Sequence, residues 1–261
     1  MPTLPGVRPD RDGTTARHHG RRDTTRGYAD AMSPADSPIL RTDYTGDGLD
    51  EADLLPTPLA QVRAWVAAAQ ARQAAQGDVP EPTALSVATV DAAGAPDVRT
   101  VLMRFLDARG PGFVTDLRSA KGREIGGNAA VAASLTWPSM FRAVRFRGSA
   151  VEIGRGEVAE YFAGRPWGSR ISAWASHQSA PTASRAELEA AYAAVAARHP
   201  DTGSPDDVPL PDHWGGWRIT CTEVELWAGR RNRLHDRIVL TRVGEGGLDD
   251  ADAWSVGRRQ P

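Results

Sequence analysis

The chain has 261 residues, 41% of them hydrophobic, which is enough for one sizeable core. Its 31 basic and 33 acidic residues leave a formal net charge of −2, so no global field favours nucleic acid or an anionic membrane, and any anion must be caught by a local cluster. No apolar run approaches the ~20 residues that cross a bilayer and the N-terminus lacks a secretory stretch, so the expected location is the cytosol. The lone Cys221 excludes an internal disulfide and a thiolate metal site, and His18, His19, His199 and His213 share no metal-ligand spacing.

Residues 1–37, rich in Arg, Asp, Thr, Gly and Pro without apolar periodicity, read as a disordered tail, with Met32 as a candidate true start. Residues 38–261 read as one domain. Leu59, Val62, Trp65, Val66 and Ala69 recur at helical spacing after Pro58, predicting a helix that ends near Gly77. Strands are predicted at 84–90 and 99–106, around the turn Asp91-Ala-Ala-Gly94, and at 112–117. Ser119 caps a short helix to Asn128, and strands follow at 130–137 and 142–153, the latter with a change of apolar parity that predicts a bulge near Gly148. Helical patterns at 157–163, 169–176 and 185–198 precede strand-like segments at 217–227, 234–243 and 253–256. Five or six antiparallel strands in two groups, interrupted by helices, make an α+β chain, mainly β, of the split-barrel type.

Four stretches carry residues suited to chemistry. In Arg233-Leu234-His235-Asp236-Arg237, strand alternation puts two guanidiniums and an imidazole on one face, a site for a planar anion; a solvated face in an arginine-rich chain is the plainer reading. Thr115 to Lys121 runs from a strand into a helix N-terminus, where backbone N–H groups, Ser119 and the only lysine of the chain converge as in phosphate sites. The odd spacing of Arg99 and Arg104 puts them on opposite faces of a regular strand, serving different anions unless the strand is distorted. Tyr161 and Arg165 are helical neighbours, and Ser169, at the start of the next helix, completes a second candidate phosphate ring; Gln178 and Ser179 follow.

In combination, Ser86-Val-Ala-Thr-Val-Asp, Arg99-Thr-Val-Leu-Met-Arg, Tyr161-Phe-x-x-Arg-Pro, Gln178-Ser179, Pro209-Leu-Pro-x-x-Trp-Gly-Gly-Trp and Trp227 followed by Arg233-Leu-His-Asp-Arg resemble the pyridoxine/pyridoxamine 5′-phosphate oxidase family from about residue 41 to 243. The resemblance implies an FMN-binding split β-barrel homodimer with two FMN sites at its interface, residues 209–261 serving dimerisation and substrate contact. It implies Arg99, Arg104, Val114, Thr115, Ser119, Lys121, Gln178, Ser179, Trp227 and Arg237 around FMN. It implies Arg41, Tyr44, Arg104, Tyr161, Arg165, Ser169, Arg233, Leu234 and His235 around the substrate, with Arg233 and His235 over the pyridine ring and Tyr44 as part of a lid. The reaction implied is hydride transfer from C4′ of pyridoxine or pyridoxamine 5′-phosphate to FMN, then reoxidation by O₂ with release of hydrogen peroxide.

The chain departs from the family pattern at Ala120 (usually arginine), Ala143 (usually glutamine), Val114 (commonly tyrosine) and Arg104 (commonly lysine); Arg118 and Arg123 are the nearby candidates to replace the missing arginine. Residues 244–252 form an insertion and the C-terminal residues differ. Two rival functions follow: an oxidase of another ring, as in the phenazine pathway, and a non-catalytic binder of FMN or pyridoxal phosphate.

Overall fold

The computed structural model describes residues 43–261; Arg41, Met32 and the 1–37 segment lie outside the described residues. Helix α1 (Pro58–Gln76) is capped by Thr57, whose side chain accepts from the Ala60 N–H at 3.2 Å, and stops at Gly77, which takes the left-handed φ of 72°. Its Val62, Trp65, Val66 and Ala69 are buried against the sheet. Nine strands form one sheet, against eight strand segments predicted along the chain and five or six expected in the barrel: β1 (Ala84–Val90), β2 (Pro96–Leu102), β3 (Phe105–Asp107), β4 (Gly110–Asp116), β5 (Ala130–Trp137), β6 (Arg142–Glu152), β7 (Trp214–Ala228), β8 (Asp236–Arg242) and β9 (Trp254–Arg258). Between them lie α2 (Ala120–Gly127), α3 (Arg155–Ala163), α4 (Trp167–Ala175) and α5 (Arg185–Arg198). Among the described residues no helix is long and apolar enough to cross a membrane.

The strand order is β2-β1-β5-β6-β7-β4-β3, with β8 pairing β7 and β9, and all pairings are antiparallel. Strand β7 organises this sheet. One of its edges pairs with β6 over residues 217–228; the other pairs with β4 over residues 214–218 and with β8 over residues 223–228. The curled sheet encloses a main core that includes Leu85, Leu135, Val144, Phe146, Leu226 and Ile238. A second core, built on Val158, Phe162, Ile171, Val195 and Trp214, seats α3, α4 and α5 against the start of β7.

Two departures from the predicted strands shape the site. The expected strand 99–106 is broken: the Met103 N–H still bonds to Thr83 O beside β1, whereas the Arg104 N–H bonds to Gly112 O on β4. The chain changes partners there, which is a distortion that periodicity does not reveal. The Arg233–Arg237 stretch, expected to be strand, instead leaves a 3₁₀ turn over Arg231–Arg233, with Asn232 and Arg233 at φ of 58° and 63°, and β8 begins only at Asp236. Arg233, His235 and Arg237 therefore do not share one face of a strand.

The bulge expected at Gly148 is present as a register shift between Arg147 and Gly148 against β7. A Cβ at Gly148 would lie 2.0 Å from the backbone oxygen of Thr220, which no side-chain rotation relieves. Gly148→Ala is expected to lower stability by about 1–3 kcal/mol, the usual cost of forced repacking; an unchanged urea midpoint would show that the bulge yields freely.

Candidate active site

The break between β2 and β3 brings Arg99 and Arg104 to one cavity of about 920 Å³, in spite of their odd spacing. Val114, Thr115, Ala120, Lys121, Tyr161, Arg165, Ser169, Gln178 and Ser179 line it as well. Four elements deliver these groups: the break, the end of β4, the start of α2, and the α3–α4 corner with the loop after α4.

The α2 N-terminus forms the most buried wall. Ser119 is fully buried and its hydroxyl caps the helix by accepting from the Gly122 N–H at 3.3 Å. Lys121 is 6% exposed. Its ammonium donates to Gln178 Oε1 at 2.6 Å, Thr115 Oγ1 at 3.1 Å and Ser119 Oγ at 3.4 Å. All three acceptors are neutral. Burial, followed by repulsion from Arg99, therefore lowers its pKa to about 8. Ser179 accepts from the Ala120 N–H at 3.2 Å and holds an unusual φ of 71° for a residue with a side chain.

Arg99 is committed elsewhere. Its guanidinium meets Asp97 at 2.6 Å and Glu124 at 2.8 Å, so it reaches the cavity as a partly neutralised group. The two replacements considered for the arginine absent at position 120 do not line the cavity: Arg118 pairs with Asp116 at 3.0 Å, and Arg123 donates to the Arg118 carbonyl.

At the α3–α4 corner, Tyr161 lies in the last turn of α3, which ends at Ala163, but Arg165 lies beyond it, after Gly164, so the two do not share a helix face; the turn still directs both at the cavity. Ser169 is the third residue of α4, not its first, because the helix starts at Trp167 behind Pro166. The Arg165 guanidinium stacks 4.6 Å from the Trp214 ring, and its Nη1 is buried without a hydrogen-bond partner among the described residues. Burial lowers the Arg165 pKa, and Arg104 adds repulsion. Trp214, which also lies parallel to Tyr161 at 6.3 Å, lines the cavity too; it carries no titratable group to mark it in the sequence, although it stands within the Pro-Leu-Pro-x-x-Trp-Gly-Gly-Trp stretch.

The remaining predicted residues form a second cluster. Tyr44 packs edge-on against His235 at 5.0 Å, Trp227 at 5.9 Å and Phe141 at 5.2 Å, and the Arg233 guanidinium lies 5.0 Å from the Tyr44 ring. His235 Nδ1 accepts from the Arg230 N–H at 3.1 Å, which places the imidazole proton on Nε2 and leaves that N–H as a donor. Burial first, then Arg233, lowers the His235 pKa, keeping the ring neutral near pH 7. Leu234 is 69% exposed beside it. Arg237 grips Glu225 through Nε at 3.0 Å and Nη2 at 2.8 Å; Glu225, 2% exposed, also meets Arg145 at 3.3 Å. Burial opposes ionisation of Glu225, but these arginines prevail and lower its pKa. Asp236 anchors the N-terminal segment by accepting from the Leu49 N–H at 2.8 Å, and Arg230 and Arg258 hold it ionised against the cost of burial.

None of Tyr44, Trp227, Arg233, His235 and Arg237 lines the cavity at Lys121. The two clusters sit at opposite ends of β7: Thr115 pairs with Gly215, whereas Ala143 and Arg237 flank Trp227. Trp227 lies twelve positions after Gly215, about 40 Å of strand path at ~3.3 Å per residue.

Residues 71–199 match the family described as pyridoxamine 5′-phosphate oxidase, and residues 214–261 match the pyridoxine 5′-phosphate oxidase C-terminal dimerisation region. The pyridoxine/pyridoxamine 5′-phosphate oxidase of Kineococcus radiotolerans is 48% identical over 222 residues, covering 85% of this chain and 97% of its own. The protein of the same name from Streptomyces avermitilis is 43% identical over 226 residues, covering 87% and 96%. Among solved structures, PhzG from Burkholderia lata 383 in complex with tetrahydrophenazine-1-carboxylic acid is similar at a TM-score of 0.71 and 28% identity, over 83% of this chain and 99% of that one. With such identity over nearly the whole length of its relatives, the chain belongs to the pyridoxine/pyridoxamine 5′-phosphate oxidase family.

Proposed function

We propose that the chain oxidises C4′ of pyridoxine or pyridoxamine 5′-phosphate to the aldehyde pyridoxal 5′-phosphate, using FMN, as a homodimer whose two sites each draw on both copies. The observation that carries this reading is the concentration of unneutralised cationic donors in one cavity. Lys121 has only neutral acceptors, and Arg165 keeps a buried N–H unpartnered among the described residues. A buried donor of this kind costs about 1–3 kcal/mol until an acceptor arrives, and a phosphate supplies several.

The residues fit FMN and the substrate as two anions. Thr115, Ser119, Lys121, Gln178 and Ser179 would hold the FMN phosphate at the α2 N-terminus, with Arg99 beside them. Arg104, Tyr161, Arg165 and Ser169 would hold the substrate phosphate. Bound FMN would supply the two-electron acceptor for oxidation at C4′, with O₂ as final acceptor and hydrogen peroxide as product. His235 offers an Nε2–H donor and Arg233 a guanidinium to the polar substituents of a pyridine ring, while Arg237, held by Glu225, and Trp227 would border the flavin from the partner copy. Tyr44 stands over this second cluster and would exclude water from it once a partner brings the clusters together. The separation along β7 and the match of residues 214–261 to a dimerisation region support such an arrangement. Residues 38–261 would act as the one oxidase domain.

A second reading, oxidation of a different ring, draws on the likeness to PhzG with its bound tetrahydrophenazine-1-carboxylic acid. The substrate's phosphate separates the two. In anaerobic mixing, FMN-loaded protein is expected to lose its flavin absorbance with pyridoxine or pyridoxamine 5′-phosphate and to regain it on admission of oxygen. No bleaching at saturating substrate would overturn the proposal.

Two mutational outcomes follow from the division of the clusters. Lys121→Ala is expected to weaken FMN binding by about ten- to hundredfold, the value of a charge-assisted hydrogen bond, as read by flavin fluorescence titration. Arg233→Ala and His235→Ala are expected to lower turnover while FMN stays bound; loss of flavin from both would contradict their assignment to the substrate.

A further inference from the structure

We propose that Lys121 is also a covalent capture site for the product: in protein without FMN, its Nζ condenses with the aldehyde carbon of pyridoxal 5′-phosphate. This inference rests on the reading that the product is that aldehyde.

Three observations carry it. Lys121 is the only lysine of the chain, and it lines the same cavity as Arg104, Tyr161, Arg165 and Ser169, a setting that concentrates a phosphorylated aldehyde. Its ammonium is bonded to neutral oxygens alone, Thr115, Ser119 and Gln178, so no ion pair must break before the amine reacts. Burial, then Arg99, lower its pKa to about 8 against the weaker opposing pull of Asp116 and Glu124, which leaves an appreciable fraction of free amine near neutral pH.

The chemistry balances without a co-reactant. The Nζ lone pair adds to the C4′ carbonyl carbon, the carbonyl oxygen takes up protons and leaves as water, and a C=N bond replaces C=O with no change in oxidation state. Because the same ammonium is assigned to the FMN phosphate, adduct and cofactor are mutually exclusive. Product accumulation would then hold back the loading of fresh apoprotein with FMN.

The test treats full-length FMN-free protein with pyridoxal 5′-phosphate, reduces with borohydride and maps the modified peptide by mass. The expected result is one adduct on Lys121, absent in Lys121→Arg, prevented in wild type by prior FMN loading, and forming faster as pH rises until it levels off above about 8. Pyridoxal without its phosphate is expected to react about ten- to hundredfold less readily, the loss of charge-assisted contacts. Modification confined to the N-terminal amine, or labelling of Lys121 that FMN does not prevent, would overturn the proposal. The adduct is read without turnover, so its failure leaves the oxidase reading intact, and failure of the flavin to bleach leaves the adduct measurable.

Discussion

Strand β7 runs fifteen residues, pairing with β6 from Trp217 to Ala228 across one bulge, and the spacing it imposes separates the two groups of candidate residues. Its first residues hold β4, and with it the Thr115–Lys121 wall; its last hold β8, and with it the Arg233–Arg237 segment. About 40 Å of strand path lies between the two groups of residues, and none of the second group lines the cavity at Lys121. The proposed site across two copies would bring the two groups together, and a homodimer with a twofold axis would supply two such sites at once.

Charge is distributed along the same division. The arginines that shape the structure are neutralised by buried or partly buried carboxylates: Arg237 by Glu225, Arg230 and Arg258 by Asp236, and Arg218 by Glu157 and Asp107. Those pairs fix side chains in place, and a buried pair is costly to break because it strands a charge. In the cavity the balance is reversed, since Lys121 meets only neutral acceptors and Arg165 retains an unpaired N–H among the described residues. A chain of net charge −2 thus holds a local surplus of positive charge where two phosphates are proposed to bind.

Local signals were legible wherever a single element decides its own shape. Pro58 and Gly77 bracket α1, Ser119 caps α2, and the parity change around Gly148 marks the bulge. What remained hidden depends on two partners at once. The passage of the chain from β1 to β4 between Met103 and Arg104 is set by hydrogen bonds to Thr83 and Gly112, and no periodicity encodes it. The turn at Asn232 and Arg233 looked like strand because its residues alternate, yet their positive φ values break the ladder. Glu225 reads as an ordinary strand carboxylate until Arg145, Arg237 and Arg259 are seen around it. The candidate residues were therefore legible by type and motif, while their separation into two clusters required the fold.

Subunit complementation tests the shared site most directly. Chains carrying Lys121→Ala and chains carrying His235→Ala are unfolded together, refolded as a mixture and assayed at an FMN concentration that loads the wild type but not Lys121→Ala, so that each variant alone is of low activity. In a mixed dimer one site carries both substitutions and the other carries neither, so random assortment is expected to restore about a quarter of wild-type activity. Activity no greater than the average of the two variants, in a mixture verified to contain mixed dimers, would contradict a site drawn from both copies.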